Sequence, residues 1–259
     1  MLIQNLEKDV NYNLLKMKNI KNIPPIIIES KCITSTLDYK WNDRVIEKLL
    51  DPLQTNEELE ITLNRLNQKA SLALAAALLE WVYWRFKKHT ILFDDLMQRI
   101  ESLWCSIENH ENTKPLIFDP NLKYLAYGYV KGPIWVALVH VKMIDMKYRK
   151  GSDLLQSELV GLVLLVRHIT PKKKAFDSWF MNSLFELTSL FPLENHQTKH
   201  SEMTPYDFTT EPVICREFFF NPNFKYSDAT SRLALREFIS NIDLIKNKFC
   251  LAKKELATA

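Results

Sequence analysis

Two histidines four residues apart offer the first chemistry that the sequence suggests, which is metal binding. His196 and His200 lie in the segment LENHQTKHSEMTP, with Glu194 and Glu202 beside them. Such a pair can hold zinc when a helix aligns both rings and another residue supplies a third ligand. This segment is polar and runs into Pro205, which favours a surface loop. We therefore predict no metal site here.

A carboxylate within an apolar segment is the second candidate, because a buried one could act as a general acid or base. Glu80 interrupts the run SLALAAALLEWVYWRF and is followed by Trp81 and Trp84. An ion pair is the preferred interpretation. Arg85 is five residues away, whereas pairs on one helix need a spacing of three or four, so we expect the partner on another helix. We predict structural roles for both Glu80 and Arg85.

The glycine motifs of nucleotide-binding enzymes and of serine hydrolases are absent from the sequence. Only four glycines occur, and none belongs to a GxGxxG, GxxxxGK[ST] or GxSxG pattern. These motifs need glycine because it lets backbone N–H groups approach a phosphate or an oxyanion. The sequence therefore predicts no catalytic residue and no cofactor.

The same shortage of glycine favours an all-α fold, since sandwiches and doubly wound sheets use glycine in turns and bulges. We predict a single-domain bundle of helices around a central apolar helix at about 69–87, because that segment is apolar on nearly every side. Residues 1–40 are predicted to form an N-terminal arm packed on the helical domain of residues 41–259. Pro24-Pro25 argues against a helix, so Ile26–Ile28 are expected to be extended.

Other helices are predicted from apolar spacing and capping residues, with Thr55 and Ser152 as two of the expected caps. The prolines at 192, 205, 212 and 222 predict a long loop near 192–228. The expected helices are 41–50, 57–67, 91–109, 154–168, 175–191, and a last one capped by Asp228 or Thr230 and ending near Phe249. Residues 122–150 are expected to form either one helix kinked at Gly132-Pro133 or two helices.

The charge balance gives no sign of nucleic-acid binding. The net charge is +3, from 34 basic and 31 acidic side chains. The densest basic clusters, at 147–150 and 172–174, are expected at helix junctions, where cations complement helix C-termini. We therefore predict no nucleic-acid partner.

The sequence favours a cytoplasmic protein without a membrane segment. The four cysteines form no CxxC pair, so neither a disulfide framework nor a zinc pattern is visible. The first residues lack the apolar stretch of a signal peptide. The longest apolar run, Leu72–Leu79, is too short to cross a bilayer. A reducing cytoplasm, with free thiols, is the simplest compartment.

Two stretches resemble helical immunity proteins encoded beside bacterial type VI secretion effectors. They are residues 71–86 and residues 216–249, together about 50 of the 259 residues. The pattern is an Arg-Glu, an aromatic-Pro-aromatic segment, a leucine-rich helix face, and an Asn before an aromatic residue. It is filled here by Arg216, Glu217, Pro222, Phe224, Tyr226, Leu233, Phe238, Asn247 and Phe249, with NKF where the family pattern has Asn-Pro-Phe.

The resemblance implies that the chain binds and neutralises a cognate toxin, with no active site of its own. Arg216, Pro222 and Phe224 are predicted to be structural, with the proline and its aromatic neighbours fixing the loop before the last helix. A toxin that cleaves nucleic acid has a basic cleft, so an inhibitor would present acidic residues to it. The candidate contact residues are Asp51, Glu57, Glu58 and Glu60 in one stretch, and Glu194, Glu202, Asp207 and Glu211 in the long loop.

Two alternatives stay open at the level of sequence. An α-helical enzyme would place a polar pocket around Glu80, Tyr124 and the loop histidines. A nucleic-acid-binding regulator would show a clustered basic face and salt-sensitive binding.

Overall fold

The described residues form an all-α bundle in a single domain. The structure is a computed structural model that describes residues 22–52, 56–119, 126–152, 155–193 and 207–251. Within these ranges lie ten α-helices and a 3-10 turn at His110–Asn112, with no strand. The helices are α1 Pro25–Glu29, α2 Asp43–Leu50, α3 Glu57–Leu63, α4 Gln68–Phe86, α5 Phe93–Asn109, α6 Lys131–Arg149, α7 Gln156–Ile169, α8 Lys173–Leu190, α9 Arg216–Phe220 and α10 Asp228–Ser240. None of them is long and apolar enough to span a bilayer.

Helix α4 is the centre of the bundle, as its uniformly apolar sequence predicts. All 19 of its residues are buried, including the charged ones. It packs against α5, α6, α7 and α9. Its alanines at 73 and 75–77 leave room for these neighbours to approach closely.

The expected extended segment at Ile26–Ile28 is instead the short helix α1. Pro25 occupies the first helical position, where no backbone N–H is needed and the fixed φ of proline suits a helix. Ile27 is fully buried, and α1 packs on α8. Residues 22–40 therefore help to cover the core, while residues 1–21 of the predicted arm lie outside the described residues.

The helix predicted over 122–150 begins only at Lys131, so Gly132-Pro133 lies in its first turn and produces no kink. Proline is tolerated there because the first N–H groups of a helix have no partner within it. Gly132 is needed because a Cβ at this position would overlap the Trp41 ring and the Ala126 carbonyl, which accepts a 2.7 Å hydrogen bond from Trp41 Nε1.

The region after residue 192 also differs from the expected loop and long final helix. Helix α9 lies within it, and residues 194–206 are outside the described ranges. Helix α10 begins after Ser227, which forms a capping box with Thr230, and ends at Ser240 rather than near Phe249. Beyond this end, Asn247 bonds to α5, donating to Gln98 O and Glu101 Oε2, both at 3.0 Å.

Two expected caps and one expected charge arrangement are also corrected. Helix α7 begins at Gln156, so Ser152 does not cap it. Asn56 precedes α3 without a side-chain cap, and Thr55 lies outside the described residues. The lysines at 172–174 lie at the junction of α7 and α8, as expected, but they surround the N-terminus of α8.

Candidate functional site

Glu80 is fully buried, and both of its carboxylate oxygens are paired. Arg216 of α9 donates from Nε to Oε2 at 2.8 Å and from Nη2 to Oε1 at 2.5 Å. Trp84 Nε1 donates to Oε1 at 3.0 Å. Neither charged side chain is exposed to solvent. The partner expected on another helix is Arg216.

Further contacts surround this ion pair. Arg216 Nη2 also donates to Asn22 O at 3.1 Å, and its guanidinium carbon lies 5.3 Å from the centre of the Phe220 ring. Of the three cavities described below, none has Glu80 in its lining. The other residues of the enzyme alternative, Tyr124 and the two loop histidines, lie outside the described residues.

The described part of the chain brings together no three His, Cys, Asp or Glu side chains that could hold a metal ion. His196 and His200 are outside that part, so the prediction made for them stays a prediction.

Arg85 is the second buried charge of α4, and it binds backbone carbonyls. Its Nε donates to Ile169 O at 2.9 Å, at the C-terminus of α7, where the helix dipole favours a cation. Its two Nη groups donate to Cys32 O and Ser35 O, both at 2.9 Å, and to Thr36 O at 2.7 Å. This one side chain joins the C-terminal end of α4 to α7 and to the segment after α1.

Glu211, proposed from the sequence as a partner contact, is buried at the N-terminus of α4. Its carboxylate accepts from Gln68 N at 3.1 Å and from Lys69 N at 2.7 Å. The Lys69 ammonium donates to Glu211 O at 3.0 Å and to Thr209 O at 3.2 Å. An acidic side chain beside unpaired N–H groups complements the positive end of a helix. Glu211 therefore fixes the long loop to the central helix, and it is not available to a partner.

Three acidic residues of the first stretch lie on α3, and Asp51 directly follows α2. Asp51, Glu57 and Glu58 are exposed, and Glu60 is half-buried. None of these carboxylates has an ion-pair partner within 4 Å among the described residues. Ile61, on the same helix, is 49% exposed. This face of α3 therefore combines unpaired negative charge with an apolar side chain.

Only one other acidic candidate of the long loop lies within the described residues. Asp207 is exposed, and its carboxylate accepts from the amide and the hydroxyl of Thr209 at 2.9 and 2.6 Å, which lowers the pKa of Asp207. Glu194 and Glu202 lie outside the described residues.

A groove that the sequence did not reveal runs between α1, α8 and α9. It has a volume of about 890 Å³, and the aromatic residues Phe218, Phe219, Phe220 and Phe224 are among its lining. Trp179 supports this lining by donating from Nε1 to Phe219 O at 2.7 Å and by stacking on Phe220 with ring centres 5.9 Å apart. Pro222 is exposed at the groove, while Phe224 packs on the core.

The groove has an uneven charge distribution along α8. Lys172, Lys173 and Lys174 line one end, and Glu186 lines it twelve residues further along the helix. Glu29 lies at the lysine end, where Lys172 N donates to Ser30 O at 3.3 Å. The lysine end is exposed and has an excess of positive charge.

Two smaller cavities lie against α5. One, of about 470 Å³, has apolar walls from α10 and the segment after it, and it reaches Cys105. The Sγ atom of Cys105 is 3.8 Å from that of Cys250, and both thiols are buried and free. The other, of about 240 Å³, lies beside His110 and Tyr148.

Two buried clusters were missed by sequence reasoning. Arg149 donates to both oxygens of Asp145 at 2.9 and 3.1 Å and to Thr113 O at 3.1 Å, which fixes the segment after α5. His140 lies within 2.9 Å of Leu49 O through Nε2, and burial lowers its pKa to about 4. The i, i+4 spacing of Asp145 and Arg149 was the one available signal for the first cluster. Nothing in the sequence near His140 indicates its partner.

Comparisons of this chain with protein-family models, with curated proteins and with solved structures gave no match.

Proposed function

We propose that this chain is an immunity-type protein, which binds a cognate secreted antibacterial toxin and neutralises it by covering the toxin's active site. The toxin class that best fits the charge of the proposed contact surface is a nuclease acting in the cytoplasm. The resemblance of residues 71–86 and 216–249 to immunity proteins supports the class of partner.

The outer face of α3 is the feature on which the proposal rests. Glu57 and Glu58 are exposed there without ion-pair partners among the described residues, and Ile61 is about half exposed. A nuclease cleft must be basic, since it holds phosphates. Carboxylates that are already free of internal partners can meet such a cleft without first breaking an ion pair. The exposed isoleucine supplies an apolar contact of the kind found in the buried centre of an interface.

The interior of the protein supports binding over catalysis. The carboxylate that could have been reactive, Glu80, is held between Arg216 and Trp84. Glu211 and Lys69 are likewise engaged at the N-terminus of α4. Each of these charged groups stabilises the fold through contacts that a substrate would have to displace.

Co-expression with the product of the neighbouring effector gene tests the proposal. We expect cells that make the toxin to survive only when this chain is also made, and the two purified proteins to form a stable complex. Equal lethality with and without this chain would refute the proposed function.

The contact surface is tested separately with charge-neutral variants. The double variant Glu57→Gln with Glu58→Gln should weaken toxin binding about tenfold at low salt, because the electrostatic attraction to the basic cleft is lost. The effect should be smaller at high salt, which screens this attraction. Glu47→Gln, on the exposed side of α2, is the matched control and should leave binding unchanged. If the double variant binds like the parent, the toxin does not use the α3 face.

A further inference from the structure

We infer that the groove between α1, α8 and α9 is a second docking surface, which takes an acidic segment of a partner protein carrying an aromatic or aliphatic side chain. This inference rests on the proposed function only in taking the toxin as the source of that segment.

The lining of the groove suits an apolar anchor. Phe218 and Phe224 are only half-buried, so their rings are partly available to a ligand. Beneath them, Phe219, Phe220 and Trp179 are buried and locked by ring stacking and by the Trp179 hydrogen bond. A lining that is already rigid loses little conformational entropy when a partner binds. Its volume of about 890 Å³ is large enough for several side chains.

The lysine end fixes the sign of the charge that the partner carries. Lys172, Lys173 and Lys174 are exposed, and no carboxylate lies within ion-pair distance of them among the described residues. Glu29 offsets part of this charge and leaves an excess of cations. An acidic segment placed here gains three ammonium groups for which no carboxylate of the described residues competes.

The position of these lysines is unfavourable for the fold itself. They surround the N-terminus of an 18-residue helix that has no acidic residue in its first turn and no side-chain cap. Cations at the positive end of a helix lower its stability. The arrangement therefore has an electrostatic disadvantage within the isolated chain, and an acidic ligand would remove it.

The other end of the groove favours a peptide over a nucleic acid. Glu186 is twelve residues beyond Lys174, which is about 18 Å along the helix. A nucleic-acid strand carries a negative charge on every nucleotide, so its phosphates would meet Glu186 as well as the lysines. A peptide can carry its acidic residues at one end and neutral or basic residues at the other.

The exposed side of α8 next to the groove can extend the contact. Met181 is 60% exposed and Phe185 is 74% exposed, and their i, i+4 spacing places them side by side on the helix. Methionine and aromatic residues are enriched in protein interfaces. Ser178 and Asn182, which line the groove, lie on the same helix.

Synthetic peptides test the groove without knowledge of the toxin. The probe is a fluorescein-labelled 12-residue peptide with four acidic residues followed by a Phe-Leu pair, added to the full-length protein in fluorescence anisotropy. Three comparison probes replace the acidic residues by lysine, replace Phe-Leu by Ser-Ser, or consist of a single-stranded oligonucleotide of the same net charge. We expect only the first probe to bind well, and to bind about tenfold more weakly when salt is raised from 50 to 500 mM.

Charge reversal separates binding from folding. Lys173→Glu with Lys174→Glu should abolish binding of the acidic probe and also raise Tm by about 2–4 °C, because the new carboxylates complement the helix end. Lys142→Glu with Lys150→Glu, on α6 and just after it, is the control and should leave probe binding unchanged. Phe224→Ser should weaken binding of the acidic probe, so that this variant binds it no more tightly than it binds the Ser-Ser probe.

The outcomes distinguish this inference from the proposed function. Binding of the oligonucleotide as tight as that of the peptide, or unchanged peptide binding by the lysine variant, would overturn the inference. If the lysine variant neutralises the toxin normally, the proposed function stands and the groove is not part of the toxin-binding surface. Loss of neutralisation by the lysine variant, with Tm raised and peptide binding lost, supports both.

Discussion

At the scale of single residues, removing one partner of the buried Glu80–Arg216 ion pair is expected to lower the stability of the protein more than removing both. Arg216→Met would leave a carboxylate with no exposed surface and no cation. We expect the free energy of unfolding to fall by about 3–5 kcal/mol. Urea denaturation, followed by tryptophan fluorescence, measures this change.

Two further variants test whether the loss comes from an unpaired charge. The double variant Glu80→Met with Arg216→Met should be more stable than Arg216→Met alone, since no buried charge is left without a partner. Arg167→Met removes a half-exposed pair, in which Arg167 Nε lies 2.7 Å from Asp177 Oδ1, and it should change stability by less than about 1 kcal/mol. A double variant less stable than the single one would contradict this account.

His140 should make the stability of the protein depend on pH between about 6.5 and about 4. Burial lowers its folded pKa to about 4, so the unfolded chain binds a proton in this range that the folded chain does not. The contribution of His140 to the free energy of unfolding is therefore fully present above about pH 6.5. It falls by about 3 kcal/mol as the pH drops to 4. The neutral imidazole donates from Nε2 to Leu49 O at 2.9 Å, and Gly161 lies against the ring.

The measurement is the difference in unfolding free energy between the parent and His140→Gln at several pH values. The glutamine keeps an N–H donor and cannot titrate, so the difference should change by about 3 kcal/mol between pH 7 and pH 4. A constant difference for His140→Gln would show that this ring does not titrate as inferred.

At the scale of elements, the N-terminus of α4 depends on a residue 143 positions later in the chain. Glu211→Ala would leave the N–H groups of Gln68 and Lys69 without acceptors in a buried position. We expect a loss of about 1–3 kcal/mol, the usual effect of an unsatisfied buried donor. Glu47→Ala, at an exposed helical position, should change stability by less than about 0.5 kcal/mol.

Hydrogen exchange distinguishes a local effect from a global one. In Glu211→Ala, the amides of the first turn of α4 should lose protection before those of its middle. Equal protection of Gln68 and Lys69 in the parent and the variant would mean that the carboxylate is not their acceptor.

The helices that were predicted correctly are those whose pattern is set by their own sequence. Helix α4 is apolar on every side, and α5 has a clear apolar face, so both were located within a few residues. Helix α1 was missed because a proline pair argues against a helix unless the second proline is its first residue. Helix α10 ends at Ser240, and Asn247 beyond it bonds to α5, a contact that no local pattern reveals.

The candidate site was less predictable than the fold for a related reason. The sequence identified Glu80 and the class of its partner, because a carboxylate in an apolar helix needs a cation. It assigned Glu211 to the surface, since an acidic residue in a polar loop is exposed in most proteins. The groove could not be foreseen, because its lining comes from α1, α8 and α9, which are distant in sequence.

At the scale of the whole molecule, all four cysteines should be protected from reagents in the folded state. Cys32 and Cys215 have no exposed surface, and Cys105 and Cys250 have 4% each. Burial raises the pKa of Cys215 to about 12, which further reduces the thiolate that reacts. We expect a thiol reagent at pH 8 to label fewer than one cysteine per molecule rapidly, and four in strong denaturant.

The rate of labelling should then follow unfolding. In the Arg216→Met variant, all four thiols should react faster by a similar factor, because each becomes accessible only when the core opens. Rapid labelling of one cysteine in the folded parent would show that the cavity beside Cys105 admits the reagent directly.

The pairing of Glu80 with Arg216 has a consequence for the stage of synthesis at which the core of the protein can form. A ribosome adds Arg216 136 residues after Glu80, which takes about 7–27 s at ordinary rates of translation. Until then α4 has an unpaired carboxylate in its apolar surface. The N–H groups of its first turn also lack Glu211 as their acceptor. The nascent chain therefore cannot neutralise this buried charge until Arg216 has been made, however early the other helices that pack on α4 are formed.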